Sequence, residues 1–68
     1  MARYYVNKNA QPNGDHEVHR AGCPHPPNPE NEIFLAYYDT CRPAVAAARK
    51  HFRQVNGCYH CSRPCHTG

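Results

Sequence analysis

Large apolar side chains are scarce in this chain of 68 residues, which has no tryptophan, one methionine and two phenylalanines. Valine, isoleucine, leucine and phenylalanine together number only eight. A domain this short rarely gains more than about 3–5 kcal/mol from an apolar core alone. The length excludes a multidomain protein. We therefore expect a single domain over residues 1–68 that needs a stabilising element besides its core.

Long apolar runs are also missing from the chain. A transmembrane helix needs roughly 18 or more consecutive apolar residues, so we predict no membrane span. The first ten residues contain no apolar stretch of the kind found in a secretory signal. We therefore expect a cytoplasmic protein, in a compartment that keeps thiols reduced.

The usual groupings of catalytic residues are lacking as well. The five acidic residues are scattered, and the sequence has no paired carboxylates, no Ser-His-Asp set and no glycine-rich phosphate loop. A chain this short also leaves little room for a ligand pocket, which usually exceeds about 300 Å³. We therefore predict that the protein is not an enzyme.

Cysteine and histidine, by contrast, are abundant, with five and six residues respectively. An odd number of cysteines, many histidines and no secretory signal together favour a metal site over a disulfide framework. The alternative is a secreted chain with two disulfides and one free thiol. A metal ion would supply the stabilisation that the small core lacks.

Residues 3–8 and 17–20 have the composition of two short strands, joined at a turn that contains Gly14. Four prolines predict an irregular loop over residues 21–31. The apolar run 33–38 predicts a third strand, with both faces largely covered. We therefore expect a three-stranded antiparallel sheet, whose strand order the sequence leaves open.

A C-terminal helix is predicted after the capping pair Asp39-Thr40, over the alanine-rich residues 44–52, with Gly57 as its stop. A Cys-x2-Cys knuckle follows directly. The predicted fold is thus a small zinc-stabilised α+β domain. One face of the helix should pack on the sheet, with an inert cysteine among its residues: Cys41, Val45, Ala48 and Phe52.

Two pairs of residues have the spacing of metal ligands. Cys58 and Cys61 form a Cys-x2-Cys pair, and His19 with Cys23 forms a His-x3-Cys pair. Together they predict one Zn²⁺ per chain in a closed, structural Cys3His site. A thioredoxin-type redox pair would need a strand-to-helix junction, which is not predicted here. Other residues compete with His19 for the fourth position, Cys65 most strongly: Cys65, His16, His25, His60 and His66.

The segments 18–23, 33–36, 44–48 and 57–61 give the order His-x3-Cys, apolar strand, alanine-rich helix, glycine, Cys-x2-Cys. In this order the chain resembles the Ada-type zinc domain, named after the methylphosphotriester-repair protein, over residues 16–61. That family usually has Arg-Pro before the final pair, whereas Arg63-Pro64 follows it here. Methyl-accepting members use four cysteines, and His19 replaces one of them. If the acceptor is the other position, Cys23 inherits that role; the resemblance implies the zinc fold rather than the repair chemistry.

Positive charge is concentrated in the second part of the chain, since residues 40–68 hold five basic and no acidic residues. Four of these cations lie on or beside the predicted helix and could contact nucleic-acid phosphates: Arg42, Arg49, Lys50 and Arg53. The pattern favours a simple solvated helix face, however, over a surface that contacts phosphates. Tyrosines could stack on bases but more often build cores.

The leading functional hypothesis is a monomeric, non-enzymatic zinc module that binds a macromolecule, with nucleic acid as the first candidate and protein as the second. The second hypothesis is chemistry at a zinc-bound thiolate, as an alkyl acceptor or redox sensor, at Cys23 or Cys58. The third is metal handling, because the surplus of histidine and cysteine permits a second ion.

Overall fold

A computed structural model describes residues 1–67 as a four-stranded mixed sheet with one helix on one face. The strands are β1 (Ala2–Asn7), β2 (His16–Arg20), β3 (Glu32–Tyr38) and β4 (Val55–Gly57), and the helix is α1 (Cys41–Ala48). Two 3₁₀ turns, Pro29–Asn31 and Arg63–Cys65, complete the regular structure. The predicted α+β class is therefore confirmed.

The sheet has the order β3-β1-β2-β4, in which β1 pairs antiparallel with β2 and with β3. The pairing of β1 with β3 shifts register between Tyr4 and Tyr5, which marks a bulge in the edge strand. The predicted count of three antiparallel strands is wrong, because β4 adds a fourth strand parallel to β2. Its three residues include an asparagine and a glycine, so they carry almost no strand signal.

Gly57 lies inside β4 and is not the stop of the helix. A Cβ atom there would lie 2.7 Å from the carbonyl oxygen of Ser62 and 2.8 Å from Cβ of Cys65. The close approach of these chain segments therefore requires glycine at this position.

Helix α1 is shorter than predicted, because it ends at Ala48 instead of Phe52. The ring of Phe52 instead stacks on that of His16, with centroids 3.7 Å apart. This contact turns the chain back towards β2, where β4 then pairs. With eight residues α1 is too short to cross a membrane, and the rest of the described chain offers no longer helix.

The apolar core lies between α1 and one face of the sheet. The prediction that Cys41, Val45 and Ala48 face this core is confirmed, and Phe52 packs against it from beyond the helix. Strand β3 is not covered on both faces as predicted, since it is an edge strand and α1 covers only one side. Two of its aromatic side chains, Phe34 and Tyr37, are about half exposed, at 48% and 57%. The buried core residues are Tyr4, Val6, Val18, Cys41, Ala44, Val45 and Ala48.

Cys41 is not the inert thiol that the sequence predicts, because it forms a disulfide with Cys65. The disulfide ties the turn Arg63–Cys65 to the first residue of α1. The two cysteines come together because α1 packs beside this turn, so that both side chains lie at the same edge of the apolar core. The expectation that the chain has a metal site in place of disulfides therefore fails for this pair.

Candidate metal centre

The structure brings the four predicted ligands together in one cluster. Nδ1 or Nε2 of His19 and the sulfur atoms of Cys23, Cys58 and Cys61 all lie within 4.8 Å of one another. His19, Cys23 and Cys58 are buried, and Cys61 is half-buried. We call this cluster the metal centre.

The first two ligands are positioned by a tight turn at the end of β2. The N–H of Cys23 donates to the carbonyl of Arg20 at 3.1 Å, and the N–H of Ala21 donates to the carbonyl of Arg3 at 2.8 Å. Gly22 adopts a φ of 90° in this turn. A Cβ atom there would meet no neighbour, so the positive φ, not space, favours glycine. This turn folds Cys23 back beside His19.

The other two ligands follow β4 directly. The N–H of Cys58 donates to the carbonyl of Val18 at 2.9 Å, which extends the parallel pairing by one residue. The next turn is closed by the N–H of Ser62, which donates to the carbonyl of Cys58 at 2.9 Å. The unpredicted strand β4 is thus the element that places the Cys-x2-Cys knuckle beside β2.

Two distances within the metal centre match the edges of a zinc tetrahedron. The sulfurs of Cys23 and Cys58 lie 3.8 Å apart, and the sulfur of Cys61 lies 3.6 Å from Nδ1 of His19. With zinc–sulfur bonds of about 2.3 Å and zinc–nitrogen bonds of about 2.05 Å, tetrahedral edges are about 3.8 Å for S–S and about 3.6 Å for S–N. The donor atoms therefore fit one ion of this size.

Burial controls the protonation of these ligands. It lowers the pKa of His19 to about 4, so the imidazole is neutral at neutral pH and can donate a lone pair to a metal. It raises the pKa of Cys61 to about 12 and also raises the pKa of Cys58. Buried thiolates therefore need a cation, and a divalent ion would supply it.

Backbone N–H groups offset part of the free-energy cost of burying the thiolates. The N–H of Arg20 donates to the sulfur of Cys61 at 3.2 Å. The N–H groups of His60 and Cys61 act on the sulfur of Cys58 and lower its pKa, against the larger effect of burial. Such donors stabilise the thiolate form, which is the form that binds metal.

A second layer of side chains orients His19. Its Nε2 lies 3.6 Å from a carboxylate oxygen of Glu17, while Nδ1 faces the cluster. The ring of Tyr5 stacks on the imidazole, with centroids 5.5 Å apart and planes inclined by 20°. A carboxylate behind a ligating histidine fixes its orientation and raises its basicity. Sequence reasoning missed Glu17, although its position two residues before His19 places both on the same face of β2.

The residues that compete for the fourth position lie elsewhere or are engaged. Cys65 is in the disulfide. Nδ1 of His16 lies 2.9 Å from the carbonyl oxygen of Asn7, and Nδ1 of His66 lies 3.0 Å from that of Gly57. None of the competing residues belongs to the metal cluster among residues 1–67, and the rings of the remaining two, His25 and His60, are exposed and contact each other.

The four predicted nucleic-acid contacts are all exposed. Only Arg42 lies within α1; Arg49 follows its last residue, and Lys50 and Arg53 lie beyond the helix. The helical stripe expected of Arg42, Arg49 and Arg53, with Lys50 beside it, therefore does not form, because the helix ends at Ala48. Contact with nucleic acid stays a prediction for all four side chains.

A surface hollow of about 430 Å³ adjoins the metal centre, although little room for a ligand pocket is expected in a chain this short. Cys61 forms part of its wall together with Arg20, Arg42 and Ser62. Cys61 is thus the ligand that borders an open space, whereas Cys23 and Cys58, with 8% and 2% exposure, are closed off.

No protein-family model, no curated protein and no solved structure matches this chain. The resemblance to the Ada-type zinc domain therefore stays a prediction.

Proposed function

We propose that this protein is a non-enzymatic zinc-binding module whose single ion is structural. His19, through Nδ1, and the thiolates of Cys23, Cys58 and Cys61 would hold the ion. The observation that carries the proposal is the spacing of these four donor atoms, which all lie within 4.8 Å and include two tetrahedral edges.

The donor set favours zinc in a closed site. Three thiolates and one imidazole in tetrahedral positions are a common set for structural zinc, whereas a catalytic zinc keeps one position for water. Softer thiolate ligands also disfavour magnesium and calcium. The bound ion would supply charge neutralisation for the thiolates and a cross-link between distant parts of the chain.

This cross-link compensates for the small apolar core. It joins the end of β2 to the knuckle after β4, across the whole segment 24–57. Apparent zinc-binding free energies in zinc-finger peptides are about 10–16 kcal/mol at neutral pH. We infer that the protein folds only with the ion bound.

The exposed surface of the module would then bind a macromolecule. Nucleic acid is the first candidate, because segment 40–68 contains five basic residues and no acidic residue. Protein is the second candidate. A monomer remains the expected form of the molecule, whereas the disulfide between Cys41 and Cys65 counts against the reducing cytoplasm expected from the sequence.

Thiolate chemistry at Cys61 is the second candidate function. It is favoured by the position of Cys61 at the wall of the 430 Å³ hollow. In an alkyl transfer, the Cys61 thiolate would form the new S–C bond, and the leaving group of an alkyl donor would depart with the bonding electron pair. A zinc-loaded protein that methyl iodide alkylates at Cys61, ahead of Cys23 and Cys58, would support this function.

Cadmium substitution tests the leading proposal. The cadmium chemical shift reports the number of thiolates, and scalar couplings identify the bound residues. We expect three cysteines and His19, with one ion per chain in native mass spectrometry. The Cys65→Ser variant is the matched control, because it removes a cysteine outside the cluster and should leave the cadmium resonance in place. Coupling to Cys65, or failure to bind the ion, would refute the proposal, and several tightly held ions would favour metal handling.

A further inference from the structure

A second hollow lies beside the one at Cys61, along the helix. The first, of about 430 Å³, is lined by Arg20 and Arg42, and the second, of about 380 Å³, by Arg42 and Arg49. The two hollows share Arg42 and Pro64 as walls, so they adjoin. We call these two neighbouring hollows, with Arg20, Arg42 and Arg49 among their walls, the arginine groove.

The three arginines of the groove are free to bind an anion. All three are exposed, and the ion pairs found over residues 1–67 involve none of them. Arg3 differs, since its guanidinium lies 3.6 Å from the carboxylate of Glu32. The acidic residue that lines the groove, Asp39, lies 3.8 Å from the amine of Met1. The groove therefore carries excess positive charge, even beside a zinc centre with three thiolates and a net charge of −1.

The spacing of the arginines indicates a ligand with several negative groups. Arg42 and Arg49 are seven residues apart along α1 and its helical last turn, which corresponds to about 10 Å. Arginine side chains are long enough to converge across this rise, and each hollow is lined by two of them, so each hollow can hold one phosphate between two guanidinium groups. Guanidinium groups bind phosphate oxygens in a bidentate manner, and hydroxyl groups commonly add hydrogen bonds. Thr40, at the first hollow, makes no capping hydrogen bond to α1 through its side chain.

We propose that the arginine groove binds a ligand with two or more phosphate groups, either a phosphodiester strand or a free nucleoside polyphosphate. Arg20 and Arg42 hold one phosphate in the first hollow, and Arg42 with Arg49 holds the next. Sequence reasoning missed Arg20, because it lies on β2, far from the helix in the chain. The inference rests on the proposed function, since the ion fixes Cys61 and the wall of the first hollow.

Fluorescence anisotropy with a labelled single-stranded oligothymidylate tests the groove in the zinc-loaded full chain. At a salt dependence of about 0.7 per neutralised phosphate, the two phosphates of the groove give a slope of about 1.4 in log Kd against log salt. Arg42→Glu should weaken binding about tenfold or more, the value of one lost charge-assisted hydrogen bond. Arg49→Glu is a second variant that tests the groove should Arg42→Glu fail to fold.

Lys8→Glu is the matched control. It changes the net charge by the same amount, at an exposed residue after β1 that lines neither hollow, so Kd should stay within about twofold because distant charges are screened. Equal weakening by Lys8→Glu, or absence of binding at low salt, would overturn the proposal. Equally strong competition by polyglutamate would also overturn it, because the ligand would then be any polyanion.

Competition separates the two phosphate sources. Displacement of the strand by a nucleoside triphosphate, but not by inorganic phosphate, would assign the groove to free nucleotides. Displacement by unlabelled strand alone would assign it to nucleic acid. The cadmium spectrum of each variant is recorded in parallel, so that loss of the metal centre, which would contradict the proposed function, is distinguished from loss of binding with the centre intact.

Discussion

The two faces of β2 bury different chemistry to the same depth. Val18 points into the apolar core beneath α1, and His19, its neighbour, points into the metal centre; their exposures are 0% and 1%. The largest fully buried side chains include Val6 from the core and Cys58 from the metal centre. Burial stabilises the first group through the hydrophobic effect, but it destabilises the charged thiolates unless a cation is present.

This very small domain divides its stabilisation between the apolar core and the metal centre. The core is built mostly from valine and alanine, which bury little apolar area each. The metal centre uses only four side chains, but the free energy of zinc binding there is much larger than the net free energy gained from this small core.

Removal of the ion should unfold both regions together. We expect chelation, or Cys58→Ser, to cost about 10 kcal/mol or more of stability, because the bond energy of the ion is also folding energy. Amide NMR spectra measure this as a collapse of chemical-shift dispersion. His51→Ala, at an exposed histidine, is the control. A dispersed spectrum after complete chelation would show that the core folds by itself.

Loss of the disulfide should weaken the fold less and leave the metal centre intact. Cys41 and Cys65 are 24 residues apart, and closing a loop of this length is worth about 3 kcal/mol in the chain-entropy model. Urea unfolding of zinc-loaded Cys41→Ser measures the loss. A cadmium resonance changed by this variant would mean that the disulfide also positions the ligands.

Truncation of a core side chain should lower the free energy of unfolding less than loss of the disulfide does. Val6 is fully buried and belongs to the core, away from the ligands. Val6→Ala should cost about 2 kcal/mol, as expected when two buried methyl groups are removed from a well-packed site. The same urea experiment applies. A loss as large as that of Cys58→Ser would reverse the ranking of core and metal centre.

Glu17 should affect the metal centre without disrupting the core. Because its carboxylate lies behind Nε2 of His19, Glu17→Gln should lower zinc affinity about 10-fold to 100-fold. Competition with a chromophoric chelator measures this affinity. Glu30→Gln, an exposed carboxylate in the 3₁₀ turn before β3, should leave affinity unchanged.

Substitution of Asp15, in the turn between β1 and β2, should have the smallest effect on stability. Hydrogen bonds from Gln54 and Asn56 lower the pKa of its carboxyl group, so the ionised form stabilises the fold. This contribution is complete above the ordinary pKa of an aspartate and is lost as pH falls through the lowered pKa. At neutral pH, Asp15→Asn should therefore accelerate amide exchange in the turn. Unchanged exchange would show that the carboxylate has no role there.

The ligand set could be predicted from the sequence because spacing alone brings its pairs together. His19 and Cys23 share one turn, and Cys58 and Cys61 share another, so only their meeting required the fold. The strand that produces this meeting, β4, could not be predicted, because its pairing with β2 depends on contacts between distant residues.

The helix and the disulfide show other limits of sequence reasoning. Alanine-rich propensity extends the predicted helix to residue 52, but stacking of Phe52 on His16 takes precedence over propensity beyond Ala48. The partner of Cys41 depends on the packing of the C-terminal turn against α1, because cysteine pairing cannot be deduced from sequence. The groove likewise required the structure, since Arg20 reaches it from β2.

The bulge opposite Tyr4 and Tyr5 has a consequence for solubility. Strand β3 forms one margin of the sheet and carries exposed aromatic rings, so a flat β3 would offer a template on which another chain could pair. The irregular register bends this margin, and the opposite margin, β4, is only three residues long. Both features disfavour pairing of a sheet margin with another chain, and the guanidinium of Arg3 also lies over the exposed ring of Phe34, 5.1 Å from its centroid.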